Sequence, residues 1–369
     1  MTGENGRADA TDRPGPARRS APGGHGTARP SGLGGPGPGG GPGARRRRTL
    51  ALAVLTITWL AVLLLAPLAG SQSVSLAEVA AGDPTASAIF WRLRLPRVLL
   101  ALAAGGALAV AGVGFQTLFR NPLAEPYTLG VATGASLGAV LALRFADPAT
   151  VAGFAGVAAA SFAGALATTA LVVGLAMSRR GVETGTLLLA GVAVALSCSA
   201  LILFVQYLSD ATQTFRMVRW MMGGLAVVGY RDVAWAVPWA LGGSAVLLAS
   251  RWDLNQLLTG EELAASRGVD VSRLRLRVLV ATSLMVGALV AVTGPIGFVG
   301  LIVPHALRRW VGHDHLYLAP AALLAGGAFL TLCDLAARTV AAPAQLPVGV
   351  LTALLGGPFF LWLLFARRR

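Results

Sequence analysis

The chain contains no lysine. All thirty of its basic side chains are arginines, and they leave a formal charge of +14 on 369 residues. Without a lysine there is no glycine-rich phosphate loop of the usual kind, so ATP is not bound here in that way. Cysteine is almost as scarce. Cys198 and Cys333 both lie in or at the edge of apolar stretches, which suits small packing residues and excludes a disulfide framework. The four histidines, His25, His305, His313 and His315, assemble no catalytic set. His313-Asp314-His315 invites a metal reading, but neighbours on one loop seldom converge on one ion, and no metal or other cofactor is expected. Charged residues make up only 12% of the chain against 55% hydrophobic, with a mean hydropathy of +0.68. That leaves too little polar surface to cover a soluble globule. A nucleic-acid binder would gather its arginines on a soluble domain. Here they sit at the ends of apolar runs, so no nucleic-acid partner is expected.

What the chain does have is repeated apolar runs of about 20 residues, the length of a helix that crosses a bilayer. Ten can be placed, at 49–69, 98–119, 127–143, 151–177, 186–208, 233–250, 278–293, 296–311, 316–337 and 346–366. The fold class is therefore all-α, a polytopic protein of the lipid bilayer. Residues 1–44 are almost wholly Gly, Pro, Ala, Arg, Ser and Thr without apolar periodicity, and read as a disordered tail. Residues 45–369 form the transmembrane domain. Arg45–Arg48 precede a first run longer than the core of a signal peptide, so it reads as a membrane helix. With that basic end inside, seventeen arginines flank the inner ends of the spans, including Arg120, Arg179, Arg180, Arg308 and Arg309, and eight flank the outer ends. This bias places both termini in the cytoplasm.

Gly130, Gly134 and Gly138 recur at the spacing that lets helix backbones meet, and predict a tightly packed bundle. A faint internal echo pairs Arg97-Val98-Leu99-Leu100-Ala101 with Arg277-Val278-Leu279-Val280-Ala281. The two copies enter the membrane from opposite sides, as in an inverted repeat. Chance similarity among Leu/Val/Ala-rich helices is the competing explanation.

The longest polar interruption is 251–277, on the cytoplasmic side. It offers helical apolar spacing at Leu254, Leu257 and Leu258, then Gly260-Glu261-Glu262, an Ala-rich turn with Ala264, then Arg267, Gly268 and a basic exit at Arg273, Arg275 and Arg277. A simple connection could be four residues long, so this loop reads as a surface that touches something. A membrane-surface helix with basic flanks is the alternative. The span centres carry almost no ionisable groups, whereas ion-coupled carriers place them at mid-depth. Energy supplied from outside the bilayer, by a partner motor, fits better than self-contained coupling.

Several stretches from about Leu93 to Phe365 carry a resemblance. They are Leu93-Arg94-Leu95-Pro96-Arg97, Arg120-Asn121-Pro122-Leu123-Ala124-Glu125-Pro126 with Leu129-Gly130, Trp220-Met221-Met222-Gly223-Gly224 and Gly260-Glu261-Glu262. They continue with Gly297-Phe298-Val299-Gly300-Leu301-Ile302-Val303-Pro304-His305, Asp334 with Arg338, and Leu346-Pro347-Val348-Gly349. In order and spacing the chain resembles the iron-siderophore and vitamin B12 family of ABC importer permeases, the ten-helix type II importers.

The resemblance implies a dimer, with a second copy or a paralogue, over two ATP-binding subunits and beneath an extracytoplasmic substrate-binding protein. The chain itself would then not be an enzyme. It implies that Leu254–Gly268 is the segment seated in the ATPase, and that Arg94, Arg97 and Arg338 receive acidic residues of the binding protein. Ferric siderophores are the expected cargo, with cobalamin or haem as alternatives, and a self-contained channel or secondary transporter as the alternative of another class. Three residues depart from the family's pattern: Arg267 where leucine is common, Gln345 where glutamate is common, and Leu316 where a basic residue is usual.

Overall fold

The computed structural model describes residues 42–70, 75–145, 151–177 and 184–366. Most of the expected disordered tail lies outside them. Ten helices coincide with the ten apolar runs: α1 Pro42–Leu65, α2 Leu95–Leu118, α3 Val131–Phe145, α4 Val151–Met177, α5 Thr184–Tyr207, α6 Arg231–Ala249, α7 Val271–Thr293, α8 Val299–Val311, α9 His315–Thr339 and α10 Val348–Ala366. Among the described residues there is no strand, and seven helices are long and apolar enough to cross a membrane. α3 and α10 are shorter apolar helices, and α8 is shorter still, at 13 residues. α1 starts at Pro42, so the arginine cluster is helical instead of preceding the helix.

The core is built around α2, which is buried along almost its whole length and packs most extensively on α9. Glycine makes that possible. A Cβ on Gly105 would collide with the carbonyl of Gly326, and one on Gly326 would collide with that of Gly105. Lower on α2, Gly112 meets the backbone of Gly300 in α8 just as closely. In lipid the apolar effect does not hold helices together, so backbone proximity and the dispersion it allows must do so. The same device joins α3 to α4, where Gly134 and Gly138 abut Gly164 and Ala160. Gly130 does something else. Its φ of 78° ends a 3-10 turn, Pro126–Leu129, in the left-handed region, so it turns the chain into α3 instead of lying on a helix face.

Three turns converge beside this core. Gly224 N–H donates to Thr293 O at 2.7 Å, and Gly349 N–H donates to Gly223 O at 3.4 Å, so the turns at 221–224, 294–298 and 346–349 interlock backbone to backbone. The Tyr127 hydroxyl donates to Ile296 O at 2.7 Å and accepts from Ile296 N–H at 2.8 Å, closing both backbone groups of the break before α8. The two halves of the sequence echo fall on α2 and α7, both mostly buried.

Gly112→Ala should lower stability by about 1–3 kcal/mol, because its methyl group meets a backbone carbonyl that cannot rotate away. Gly174→Ala, which faces open space on α4, should be neutral or slightly stabilising. Thermal midpoints of the two variants in detergent micelles check this, and a Gly112→Ala midpoint equal to that of the parent would contradict the packing described.

Candidate functional site: two polar sites at opposite ends of α2 and α9

α2 and α9 run antiparallel and carry polar clusters at both ends. The first lies where α2 begins and α9 ends. The guanidinium of Arg97 grips Asp334 from Nε (3.0 and 2.9 Å) and from Nη2 (2.7 Å), and Nη1 donates to Gln345 Oε1 at 3.1 Å. One turn on, Arg338 Nε lies 3.1 Å from the other side of the same carboxylate. Asp334 is fully buried, and Arg97 and Arg338 are 9% and 7% exposed. Arg94, also 7% exposed, turns the other way and donates from Nη1 to the carbonyls of Pro67 (3.3 Å) and Leu68 (3.0 Å). The three arginines expected to dock a partner therefore share one cavity of about 300 Å³, walled by Leu93, Ala226, Val228 and Gln345. Among the described residues no carboxylate lines it. Nη2 of Arg338 is buried with no hydrogen-bond partner among the described residues.

The second cluster is the segment 251–277. It folds as two short helices, Arg251–Leu257 and Glu261–Ser266. Gly260, at φ 127°, makes the corner between them, a conformation closed to side chains with a Cβ. Gly268 ends the second helix in a Schellman arrangement, with Val269 N–H on Ala264 O and Gly268 N–H on Ala265 O. Glu261 and Glu262 sit in the first turn, where the helix dipole favours them, but neither caps it with a side-chain hydrogen bond. Glu261 instead pairs with the buried Arg275 of α7 at 2.9 Å, which pins the second helix to the bundle.

Not all of the residues expected at the contact surface are on it. Leu254, Leu257 and Ala264 are buried, because the short helices need an apolar underside to sit on the bundle. The outward face is Leu258, Glu262, Leu263 and Arg267, with Arg267 Nη1 donating to Gln256 Oε1 at 2.6 Å.

Beneath the segment, Asn255 Nδ2 donates to Asp314 Oδ1 at 2.8 Å, and Asn255 Oδ1 accepts from the backbone N–H of His315 at 2.9 Å. The His315 ring lies between Asn255 Oδ1 (2.8 Å) and Thr117 Oγ1 at the end of α2 (2.7 Å). His315 is thus a buried structural residue, while His313 stands on the exposed turn before it. Among the described residues no group of three metal-ligating side chains comes together.

Sequence reasoning missed Asn255, Thr117 and Arg275. Arg275 reads as one of three exit arginines, and only burial separates it from the exposed Arg273. Asn255 carried a signal that went unused, since it is a polar residue directly between two members of an apolar face.

These features define a polytopic helical permease with no catalytic constellation among its described residues. The profile of the FecCD transport family matches residues 55–366, and the chain belongs to that family: it is the permease subunit of an ABC importer. It is 42% identical over 282 residues to the hemin transport system permease protein HmuU of Yersinia pestis, covering 76% of this chain and 84% of that one. It is 40% identical over 318 residues to the vitamin B12 import system permease protein BtuC of Shigella boydii serotype 18, covering 85% and 94%. Among solved structures it superposes on a metal-chelate type ABC transporter in an inward-facing conformation with a TM-score of 0.78 and 32% identity, covering 86% of this chain and 99% of the other.

Asp334→Asn leaves two buried guanidinium groups without their counter-charge. It should cost about 3–5 kcal/mol, whereas Asp270→Asn, facing the exposed Arg273, should cost about 0–1 kcal/mol. Unfolding of purified protein in a denaturant series checks the contrast.

Proposed function

We propose that the chain passes ferric siderophores across the cytoplasmic membrane, with both termini inside, as one half of a permease dimer. A binding protein delivers cargo at the arginine cavity, and two ATP-binding subunits work against 251–277. The observation that carries this reading is the placement of the two clusters. A cationic cavity with no carboxylate among its described lining residues and an exposed Leu/Glu/Arg helical face occupy opposite ends of the same helix pair. The arginine bias supports the orientation, since 251–277 and Arg45–Arg48 fall on one side. The relatives named for haem and vitamin B12, and the neighbour named for metal chelates, share a large metal-chelate cargo, a class that includes ferric siderophores. Cobalamin and haem remain the alternatives within that class.

Docking draws on desolvated charge. Exposed ion pairs are worth about 0–1 kcal/mol, but pairs closed off at an interface reach several. The three guanidinium groups are already held in place and shielded from solvent, so a partner carboxylate would meet them preorganised.

The substrate test is uptake into proteoliposomes holding the permease, its ATPase and its binding protein, offered a ferric hydroxamate, haemin and cyanocobalamin in turn. ATP-dependent accumulation of the hydroxamate is the expected result. Accumulation of haemin or cyanocobalamin alone would overturn the siderophore assignment, and uptake without ATP would favour a self-contained carrier. For docking, Ala226→Glu places a carboxylate on the exposed cavity wall without disturbing the buried pairs. It should weaken binding-protein affinity about tenfold, or about 1.4 kcal/mol, and leave basal ATP hydrolysis unchanged. Parental affinity at low salt would remove the cavity from the docking surface.

A further inference from the structure

The structure assigns Asn255, His315 and Thr117 a shared role: they form the link through which movement of the 251–268 segment reaches α2 and α9. This deepens the reading of that segment as the surface seated against the ATPase, and rests on it.

The hydrogen-bond directions fix the chemistry of the link. Asn255 Nδ2 faces the Asp314 carboxylate, which only accepts, so the amide oxygen must be the atom turned to His315. That oxygen takes the backbone N–H of His315 and also its Nδ1. Nδ1 therefore carries the ring proton, and Nε2 is left to accept the single Thr117 hydroxyl proton at 2.7 Å, which the Val113 carbonyl at 2.9 Å also attracts. Asp314 is used on both sides as well. Its Oδ1 caps α9 through Leu316 N–H at 3.0 Å, and its Oδ2 lies 3.5 Å from Arg48 of α1. His315 is 1% and Thr117 3% exposed, and both border a cavity of about 810 Å³ that Arg120, Arg308 and His313 also line.

Three separate stretches of chain thus meet in one partly buried chain of hydrogen bonds: the first short helix of the segment, the start of α9 and the end of α2. Leu254 and Leu257, buried on either side of Asn255, hold that helix against the same place. The short helix has two ways to move. It carries α9 and α2 with it, or it leaves the buried His315 ring without its Asn255 partner. The second is the costlier outcome in a low-dielectric interior. Because Gly105 and Gly326 lock α2 to α9, the pair responds as one body, and its far end carries Arg97, Asp334 and Arg338. Asn255, His315 and Thr117 are positioning residues.

The test uses the full-length permease with its ATPase and binding protein in proteoliposomes. A ferric hydroxamate, haemin and cyanocobalamin are again offered in turn, and uptake and ATP hydrolysis are measured together. Thr117→Val, which keeps shape and loses the hydroxyl, and Asn255→Leu should each lower the cargo moved per ATP at least tenfold, with hydrolysis within twofold of the parent. Thr117→Ser, which restores the hydroxyl, should return the ratio to within twofold. A parental ratio in both Thr117→Val and Asn255→Leu overturns the link. So does a parallel fall of uptake and hydrolysis that Thr117→Ser fails to rescue, which marks residues that only hold the fold. The underlying reading is checked separately with the Glu261→Arg, Glu262→Arg double variant. Normal uptake there places the ATPase contact elsewhere, whatever the threonine variants do.

Discussion

The bundle depends on how closely α2 can approach its neighbours. A helix surrounded by lipid gains little from hiding leucines, since the tails are as apolar as the side chains. Stability must come from surfaces that touch, and the closest touch is backbone on backbone. Gly105 against Gly326 and Gly112 against Gly300 provide it, setting α2 between α9 and α8 at distances no larger residue allows. α2 and α9 hold the polar clusters at their ends in fixed relation because their middles cannot slide freely.

That rigidity explains how charge is tolerated so near the membrane. An isolated guanidinium in hydrocarbon is expensive, and even buried pairs barely recover the loss of water. Here Arg97 is satisfied by a forked grip on Asp334 and by the Gln345 amide, and Arg94 by two carbonyls of the loop after α1. Planar arginine, with donors in fixed directions, suits such fitted sites in a way that a flexible ammonium does not. A chain that uses no lysine at all is consistent with that demand.

Much of the architecture was legible beforehand. All ten apolar runs became helices because run length and bilayer thickness are tied by simple geometry, and the seventh and eighth runs are separated only by residues 294 and 295. Asp334 and Arg338 lie four residues apart on one helix, a spacing that permits the pairing found here. What stayed hidden was which face of each element points inward. Leu254, Leu257 and Ala264 have the pattern of a contact surface, but the same pattern serves a helix lying on its own bundle. Gly130 shares the spacing of Gly134 and Gly138 and yet belongs to a turn, because periodicity does not mark where a helix begins. The links among Thr117, Asn255 and His315 join residues up to 198 positions apart, beyond the reach of local pattern.

The neutral amide at position 345 bears on how interchangeable such importers are. Where relatives of this resemblance commonly carry glutamate, the arginine mouth would supply part of its own counter-charge. With Gln345, Arg97 and Arg338 share the carboxylate of Asp334 while Arg94 rests on backbone carbonyls, and on the docking proposed above further negative charge would arrive on the delivering protein. A cell running several related uptake systems side by side would then find that this permease accepts the more acidic carriers and passes over the rest. One nitrogen in place of one oxygen would act as a sorting rule between parallel supply lines.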